Sequence, residues 1–295
     1  KIQLYHDLDP WYAADKYEVT YTSTNPEVAI VDEKGVVTGL KEGNTNIVLN
    51  LKGSILKARV RITIKSEFVI ENRTLIAYKG LGGNVVIPDD EGILYIGSYA
   101  FCLYETDRTI ELTEDDYDKN KIPSMNTTVK SVVIPDGVEE IQKFAFYNCT
   151  GLEKVVIPDS VKFIREYAFS KDESLNDINL SNIQVIGREA FKGCENLRTV
   201  DLSKIYAIGA SGFEGCTALE YADLSTLRNT GEKAFKDCTA LTSVKLSENT
   251  KLAPKMFACS GLISVDIYEK IKIPEFCFAQ CENLVTVTLH NNMEY

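Results

Sequence analysis

The chain has 295 residues, with 32 lysines and arginines against 43 aspartates and glutamates, a formal net charge of −11. That balance argues against nucleic acid and against charge-driven attachment to an anionic membrane. Apolar residues make up 44% and charged residues 25%, ordinary for a folded chain of one large or two medium domains, and no run of 18 apolar residues offers a membrane span.

The first 65 residues carry no repeat. Tyr17, Val19 and Tyr21 alternate with polar neighbours and predict a strand, and Asn25-Pro26 turns the chain. Val28 to Val31 and Val36 to Thr38 are short apolar runs separated by Asp32-Glu33-Lys34-Gly35. Ile47 and Leu49 alternate, Lys52-Gly53 turns, and Ala58, Val60, Ile62 and Ile64 alternate again. Five or six short strands with such turns predict a small all-β sandwich with a thin core. Thr22-Ser23-Thr24-Asn25-Pro26-Glu27-Val28-Ala29-Ile30-Val31, then Gly35-Val36-Val37-Thr38-Gly39-Leu40 and Gly43-Asn44-Thr45, resemble the bacterial immunoglobulin-like domain, group 2. The resemblance implies an extracellular module or spacer. The opening is short for that family, which implies a first strand displaced or cut away.

Residues 66–84 read as a linker with a capping hairpin, Phe68-Val69-Ile70 against Leu75-Ile76-Ala77-Tyr78, because the first turn of a stacked array needs a cover. Gly80, Gly82 and Gly83 predict a turn; no Gly-Lys-Ser or Gly-Lys-Thr follows to make a phosphate loop. Val85-Val86-Ile87-Pro88 opens a solenoid expected over 85–295. Ile134 stands 33 positions after Phe101, whereas Ile157 stands 11 after Phe146. The excess, about 103–128, is either a degenerate repeat or a loop thrown out of the stack, with Thr109-Ile110-Glu111-Leu112 as its candidate strand. Glu111, Glu114, Asp115, Asp116 and Asp118 make it acidic, but they lack the alternating ligands and sixth-position glycine of a calcium loop.

From Val132 to Leu289 one pattern is written seven times. Phe146, Phe169, Phe191, Phe213, Phe235, Phe257 and Phe278 follow one another at 23, 22, 22, 22, 22 and 21 residues. Leu152, Leu175, Leu197, Leu219, Leu241, Leu262 and Leu284 mark a second register, and Ile134, Ile157, Leu180, Leu202, Leu224, Leu246, Ile267 and Leu289 a third. Registers that move together predict a solenoid, in which no unit buries its apolar face without its neighbours. In the unit Leu152 to Ser174, Val155 and Ile157 point inward, Pro158-Asp159 ends the strand, Val161 and Ile164 return to the core, and Ala168-Phe169 is expected on a short helical turn. The prediction is a parallel sheet on one face and turns or helical pieces on the other, with about 4.8 Å between turns.

The pattern is similar to the leucine-rich repeats of the BspA-like, treponemal-type group. Val132-Val133-Ile134-Pro135 with Ile141, Ala145-Phe146 and Cys149, Ile186-Gly187 with Ala190-Phe191 and Cys194, and Ile208-Gly209 with Gly212-Phe213 and Cys216 carry the likeness. It departs at Lys171-Asp172, where the cysteine is missing, at Thr230 and Ala253, and at Cys259, two places after its ring instead of three. The eight cysteines fall mostly in this register, where a small apolar residue suffices, so they read as free thiols. Their spacing and two histidines give no zinc knuckle.

No catalytic, cofactor or metal residues are expected. His6 and His290 lack a placed serine or cysteine, and no carboxylate pair stands out. The repeat phase instead assigns two outward series. One runs Ser131, Lys154, Asp177, Thr199, Tyr221, Ser243, Ser264, Thr286, and the other Val133, Val156, Asn179, Asp201, Asp223, Lys245, Asp266, Thr288. Asp177, Asp201, Tyr221, Asp223 and Asp266 form a candidate acidic binding belt with one ring and Lys245 as its basic interruption. The two resemblances imply a secreted or surface-exposed bacterial protein, its signal peptide removed, that binds a protein or glycan on a host or neighbouring cell. A passive spacer and a glycan-binding module (with Tyr221 and Tyr268 as its rings) are the alternatives. The chain begins at Lys1 without methionine and ends after His290 without an evident cap, as expected of a trimmed or continuing chain.

Overall fold

The computed structural model describes residues 2–4, 18–102 and 126–290. His6, Trp11, Tyr17, the Thr109–Leu112 strand and the acidic residues of the 103–128 segment lie outside them. The chain divides into two compact units, Lys1–Glu67 and Phe68–Tyr295.

The first unit is built of short antiparallel strands, as its turn-rich alternation requires. Strands β1 (Ile2–Gln3), β2 (Val19–Ser23), β3 (Ala29–Val31), β4 (Val36–Gly39), β5 (Gly43–Leu51) and β6 (Lys57–Ile64) form two sheets, in the orders β1-β4-β3 and β2-β5-β6. Ala29, Val37, Ile47 and Ile62 make the core, with Tyr21, Val31, Leu49 and Ile64 against it. At the β3–β4 turn, Asp32 Oδ1 accepts the amides of Lys34 and Val36, each at 2.9 Å. Gly35 there has φ +79°, and a Cβ would meet the Tyr21 ring at 2.8 Å, so only glycine fits.

The second unit begins with the hairpin β7 (Phe68–Glu71) and β8 (Thr74–Tyr78), whose second strand pairs in parallel with β10 (Tyr95–Ile96). The hairpin is thus the first layer of the stack. The expected strand face exists: β9 (Gly83–Val86), β11 (Val129–Val133), β13 (Lys154–Val156) and β15 (Asp177–Ile178) form a four-stranded parallel sheet. After a gap at Thr199–Asp201, the pairs β18 (Tyr221–Asp223) with β20 (Ser243–Lys245) and β21 (Ser264–Tyr268) with β22 (Thr286–His290) resume the same registers.

Two expectations need correction. The return side is a sheet, not turns or helical pieces, and it is the longer one. Strands β12 (Glu140–Ile141), β14 (Phe163–Ile164), β16 (Val185–Ile186), β17 (Ala207–Ile208) and β19 (Asn229–Thr230) join β10, β8 and β7 in eight strands. The Ala-Phe corner is also not helical; no helix occurs among the described residues. Two residues before each ring, Tyr99, Phe144, Tyr167, Glu189, Ser211, Lys233, Lys255 and Phe276 have φ between 52° and 62°. Two residues after it, Asn148, Lys171, Gly193, Gly215, Asp237, Cys259 and Gln280 are also left-handed, with φ between 57° and 76°. A left-handed residue on each side reverses the chain sharply enough to drive the ring inward, and non-glycine residues pay about 1–2 kcal/mol for that conformation. The stack offsets that cost.

The rings form a continuous column. From Tyr78 through Phe101, Phe146, Phe169, Phe191, Phe213, Phe235 and Phe257 to Phe278, successive centroids lie 4.6–5.8 Å apart. That is the spacing of hydrogen-bonded turns, so each ring stacks on the next without distorting the ladder. A second, shorter column, Tyr99–Phe144–Tyr167 at 4.8 and 4.6 Å, stands at the left-handed corner.

Beside the ring column runs a ladder three residues after each phenylalanine. The thiols of Cys194, Cys216, Cys238 and Cys281 donate to the carbonyls of Phe169, Phe191, Phe213 and Phe257 one turn back, at 3.0–3.2 Å, and Cys149 reaches that of Phe101 at 3.6 Å. Asp172 and Ser260 fill the two remaining rungs. Cys259 is therefore not a displaced ladder cysteine: it occupies the left-handed corner, half-buried, beside Gln280. All eight cysteines are free. Burial pushes the thiols of Cys149, Cys194, Cys216 and Cys238 well up and that of Cys277 up to about 12, so they stay neutral. Thiol titration without reductant should count nearly eight sulfhydryls in denaturant and react slowly in the folded protein. Two or fewer in denaturant would instead show a disulfide-bonded solenoid.

Asn126 re-enters the stack after Phe101. Its Nδ2 donates to the Phe101 carbonyl at 2.8 Å, and its Oδ1 accepts the amides of Thr128 and Val129. At the far end, Val287 and Leu289 continue the inward registers of Val265 and Ile267 but are 48% and 68% exposed.

Candidate functional site

The outward face follows from strand pairing. In the unit of β18, Leu219, Ala222 and Leu224 are buried, so the intervening Tyr221 and Asp223 point away. Parallel register then aligns Tyr221 with Ser243 and Asp223 with Lys245, and aligns Ser264 with Thr286 and Asp266 with Thr288. Toward the N-terminal side the same face carries Lys154 beside Asp177, and exposed Val133 beside exposed Val156. Tyr221 is 43% exposed.

The five sequence-selected residues lie along this face in three segments. Tyr221, Asp223 and Lys245 share two adjacent strands, with Asp266 on β21 beyond them. Asp201 lies in the gap between sheets, and Asp177 belongs to the earlier sheet. The belt is also not uniformly acidic. Lys154 Nζ lies 2.6 Å from Asp177, Lys245 Nζ 2.9 Å from Asp223, and His290 Nε2 3.3 Å from Asp266. Lys245 is thus not the sole basic interruption. Asp201 makes no ion pair among the described residues; hydrogen bonds from Ser203 hold its carboxyl below the ordinary range. Partial burial pushes Asp223 up, but bonds from Ser225 and Lys245 outweigh it and leave that carboxyl lowered too. Both are ionised at neutral pH.

Lys245 sits where several fields meet. Its hydrogen bond and charge pairing with Asp223 raise its pKa, and the Tyr221 and Tyr268 hydroxyls add to the shift. Tyr268 stacks on His290 at 5.0 Å. The face therefore offers two tyrosines around an Asp–Lys pair, next to the Asp201 carboxylate, which Ser203 holds. The Tyr268–His290 contact needed the exact pairing of β21 with β22, since it joins residues 22 apart.

Such a face can hold a partner by ring contact and directed hydrogen bonds. Among the described residues no group of three histidine, cysteine, aspartate or glutamate side chains could hold a metal ion, and no helix is long and apolar enough to cross a membrane. His290 engages Asp266 and Tyr268.

A model of the BspA type leucine rich repeat region matches six copies over residues 124–225 and 202–295, and a model of the bacterial Ig-like domain (group 2) matches residues 3–54. No curated protein matches the chain. A leucine-rich repeat protein of T. pallidum is 22% identical over 74% of this chain and 75% of its own, with a TM-score of 0.43. One from Bacteroides ovatus is 24% identical, with a TM-score of 0.46; 77% of this chain is covered, but only 50% of that one. The pneumococcal vaccine antigen PcpA is 17% identical over 90% and 70% of the two chains, with a TM-score of 0.47.

Proposed function

Because the chain belongs to the BspA type leucine-rich-repeat family, behind a group 2 bacterial Ig-like domain, we propose that it is a non-enzymatic adhesion module displayed on a bacterial surface. The repeats supply an extended, rigid set of outward side chains whose positions are locked by the ring column. The observation that supports binding there is the exposed Tyr221 ring, anchored by buried neighbours and flanked by the Asp223–Lys245 pair. A ring on a rigid strand loses little entropy on docking and gains apolar contact. Asp201 contributes the one carboxylate of the four without an ion-pair partner among the described residues, so the partner segment carries a cation opposite it.

A binding screen against extracellular-matrix proteins and glycans tests this reading. With a bound partner in hand, Tyr221→Ala should lose about 2 kcal/mol or more of affinity, roughly thirtyfold. Asp201→Asn should lose less and flatten the salt dependence. Unchanged affinity in both variants would reject this face. No binding to any probe would leave the chain as a passive spacer of a surface protein.

A further inference from the structure

Charge is distributed unevenly between the two units. Residues 1–67 contain nine lysines and arginines and nine aspartates and glutamates, against 23 and 34 in residues 68–295. The first unit is neutral, and the whole charge of −11 resides in the second.

Within the neutral unit, cations gather on one side of one sheet. Tyr21, Ile47, Leu49, Ile62 and Ile64 turn to the core, so the alternate residues of β2, β5 and β6 turn outward. On β6 these are Lys57, Arg59, Arg61 and Thr63, all exposed. Antiparallel register sets Thr20 and Asn50 beside Lys57, Thr22 and Val48 beside Arg59, Asn46 beside Arg61, and Asn44 beside Thr63. Thr63 Oγ1 donates to Asn44 Oδ1 at 2.7 Å. Among the described residues, none of Lys57, Arg59 or Arg61 makes an ion pair, and none of these outward positions holds a carboxylate. Residues two apart on a strand are about 6.8 Å apart, so three unpaired cations line roughly 14 Å of an exposed edge.

Edge strands are often blunted by a lysine. That purpose accounts for one charge, not for two arginines in register with a carpet of asparagine and threonine. Guanidinium groups match planar carboxylates and sulfates in bidentate fashion. Asparagine amides and threonine hydroxyls donate to and accept from hydroxyl groups. Anions at regular intervals, with hydroxyls between them, describe an acidic sugar chain. Among the described residues this face has no aromatic ring to stack a nucleic-acid base or to anchor a protein, and Val48 is its only large apolar residue.

We propose that the outward face of β2, β5 and β6 binds an anionic polysaccharide, with Lys57, Arg59 and Arg61 pairing its carboxylate or sulfate groups and the Asn and Thr rows meeting its hydroxyls. This surface belongs to the first unit, and the proposal does not depend on the role assigned to the repeat face. The test uses the full chain with heparin (sulfate and carboxylate), hyaluronate (carboxylate alone), duplex DNA and phosphatidylserine vesicles as probes. The chain should bind heparin at about 50 mM salt and release it as salt rises. Binding of hyaluronate as well would assign the carboxylate, and binding of heparin alone the sulfate.

Replacing Lys57, Arg59 and Arg61 together by glutamine should weaken heparin binding by about tenfold or more. Replacing Lys34, Lys41 and Lys272 together, for the same change in net charge, should leave it within about twofold. Arg59→Gln alone, a single exposed change, should cost roughly threefold and gives a reading if the triple variant is misfolded. The proposal is overturned if the unaltered chain fails to bind heparin at low salt, if both triple variants lose equally, or if DNA or the vesicles bind as tightly as heparin.

Discussion

Phe213→Ala should destabilise the repeat unit by about 3–5 kcal/mol, and Phe278→Ala by markedly less. Phe213 is fully buried, with Phe191 at 5.1 Å on one side and Phe235 at 5.3 Å on the other. Removing it opens a cavity inside a column and leaves two ring faces without contacts. The surrounding backbone cannot collapse into that space, because the corner is held by amide bonds on both sides: Phe213 N–H donates to the Ala234 carbonyl and Phe191 N–H to that of Gly212. Among the described residues Phe278 stacks only on Phe257, at 5.6 Å, and it is already half-exposed. In a stack each turn is stabilised by its neighbours, so a loss in the middle breaks two interfaces and a loss at the end breaks one. Denaturant melts of the two variants decide it. Equal losses would show that the last turn is covered in solution.

The ring column was legible because one residue must fill one place in every turn, and Phe146 to Phe278 keep nearly constant spacing. The outward series was legible for the same reason: Tyr221 and Asp223 are simply the residues between buried ones. The second sheet was not. Its strands, such as Val185–Ile186 and Ala207–Ile208, are two residues long, too short for any alternation to show. The corners were hidden because Tyr99, Phe144, Glu189 and Lys233 take left-handed conformations without being glycine. There the stack overrides local preference, and preference is all that a single sequence displays. The neutralised belt was missed because pairs such as Lys154–Asp177 join residues a full turn apart, which only the strand register brings together. Cys259 misled because it stands next to the true rung, Ser260.

Asp172→Cys should stabilise the protein at neutral pH and should remove a fall in stability with rising pH. Asp172 is 0% exposed and occupies a rung that cysteine fills in five other turns. Its Oδ1 accepts the Cys149 amide at 2.8 Å, while its Oδ2 has no partner. An unsatisfied buried polar atom costs about 1–3 kcal/mol. Burial pushes the carboxyl well above its ordinary value, and the Cys149 amide only partly opposes that shift. The neighbours above and below offer no compensating charge: the Cys149 and Cys194 thiols are themselves pushed up and neutral, and Lys171 turns to the Tyr147 ring. At pH values below the unfolded carboxyl's, near 3.8, both states hold the proton and ionisation adds no penalty. As pH rises past that point the unfolded chain releases its proton while the folded one keeps it. Stability then drops by about 1.4 kcal/mol per pH unit until the folded carboxyl also ionises, and is flat beyond. Other carboxylates superpose their own slopes, so the quantity to measure is the difference between the natural chain and the variant, from denaturant midpoints between about pH 4 and 8. That difference should widen with pH in favour of Asp172→Cys, and Asp172→Asn should remove the same slope without restoring the thiol. Parallel curves for all three proteins would mean that Asp172 stays ionised, with its charge met by a buried partner.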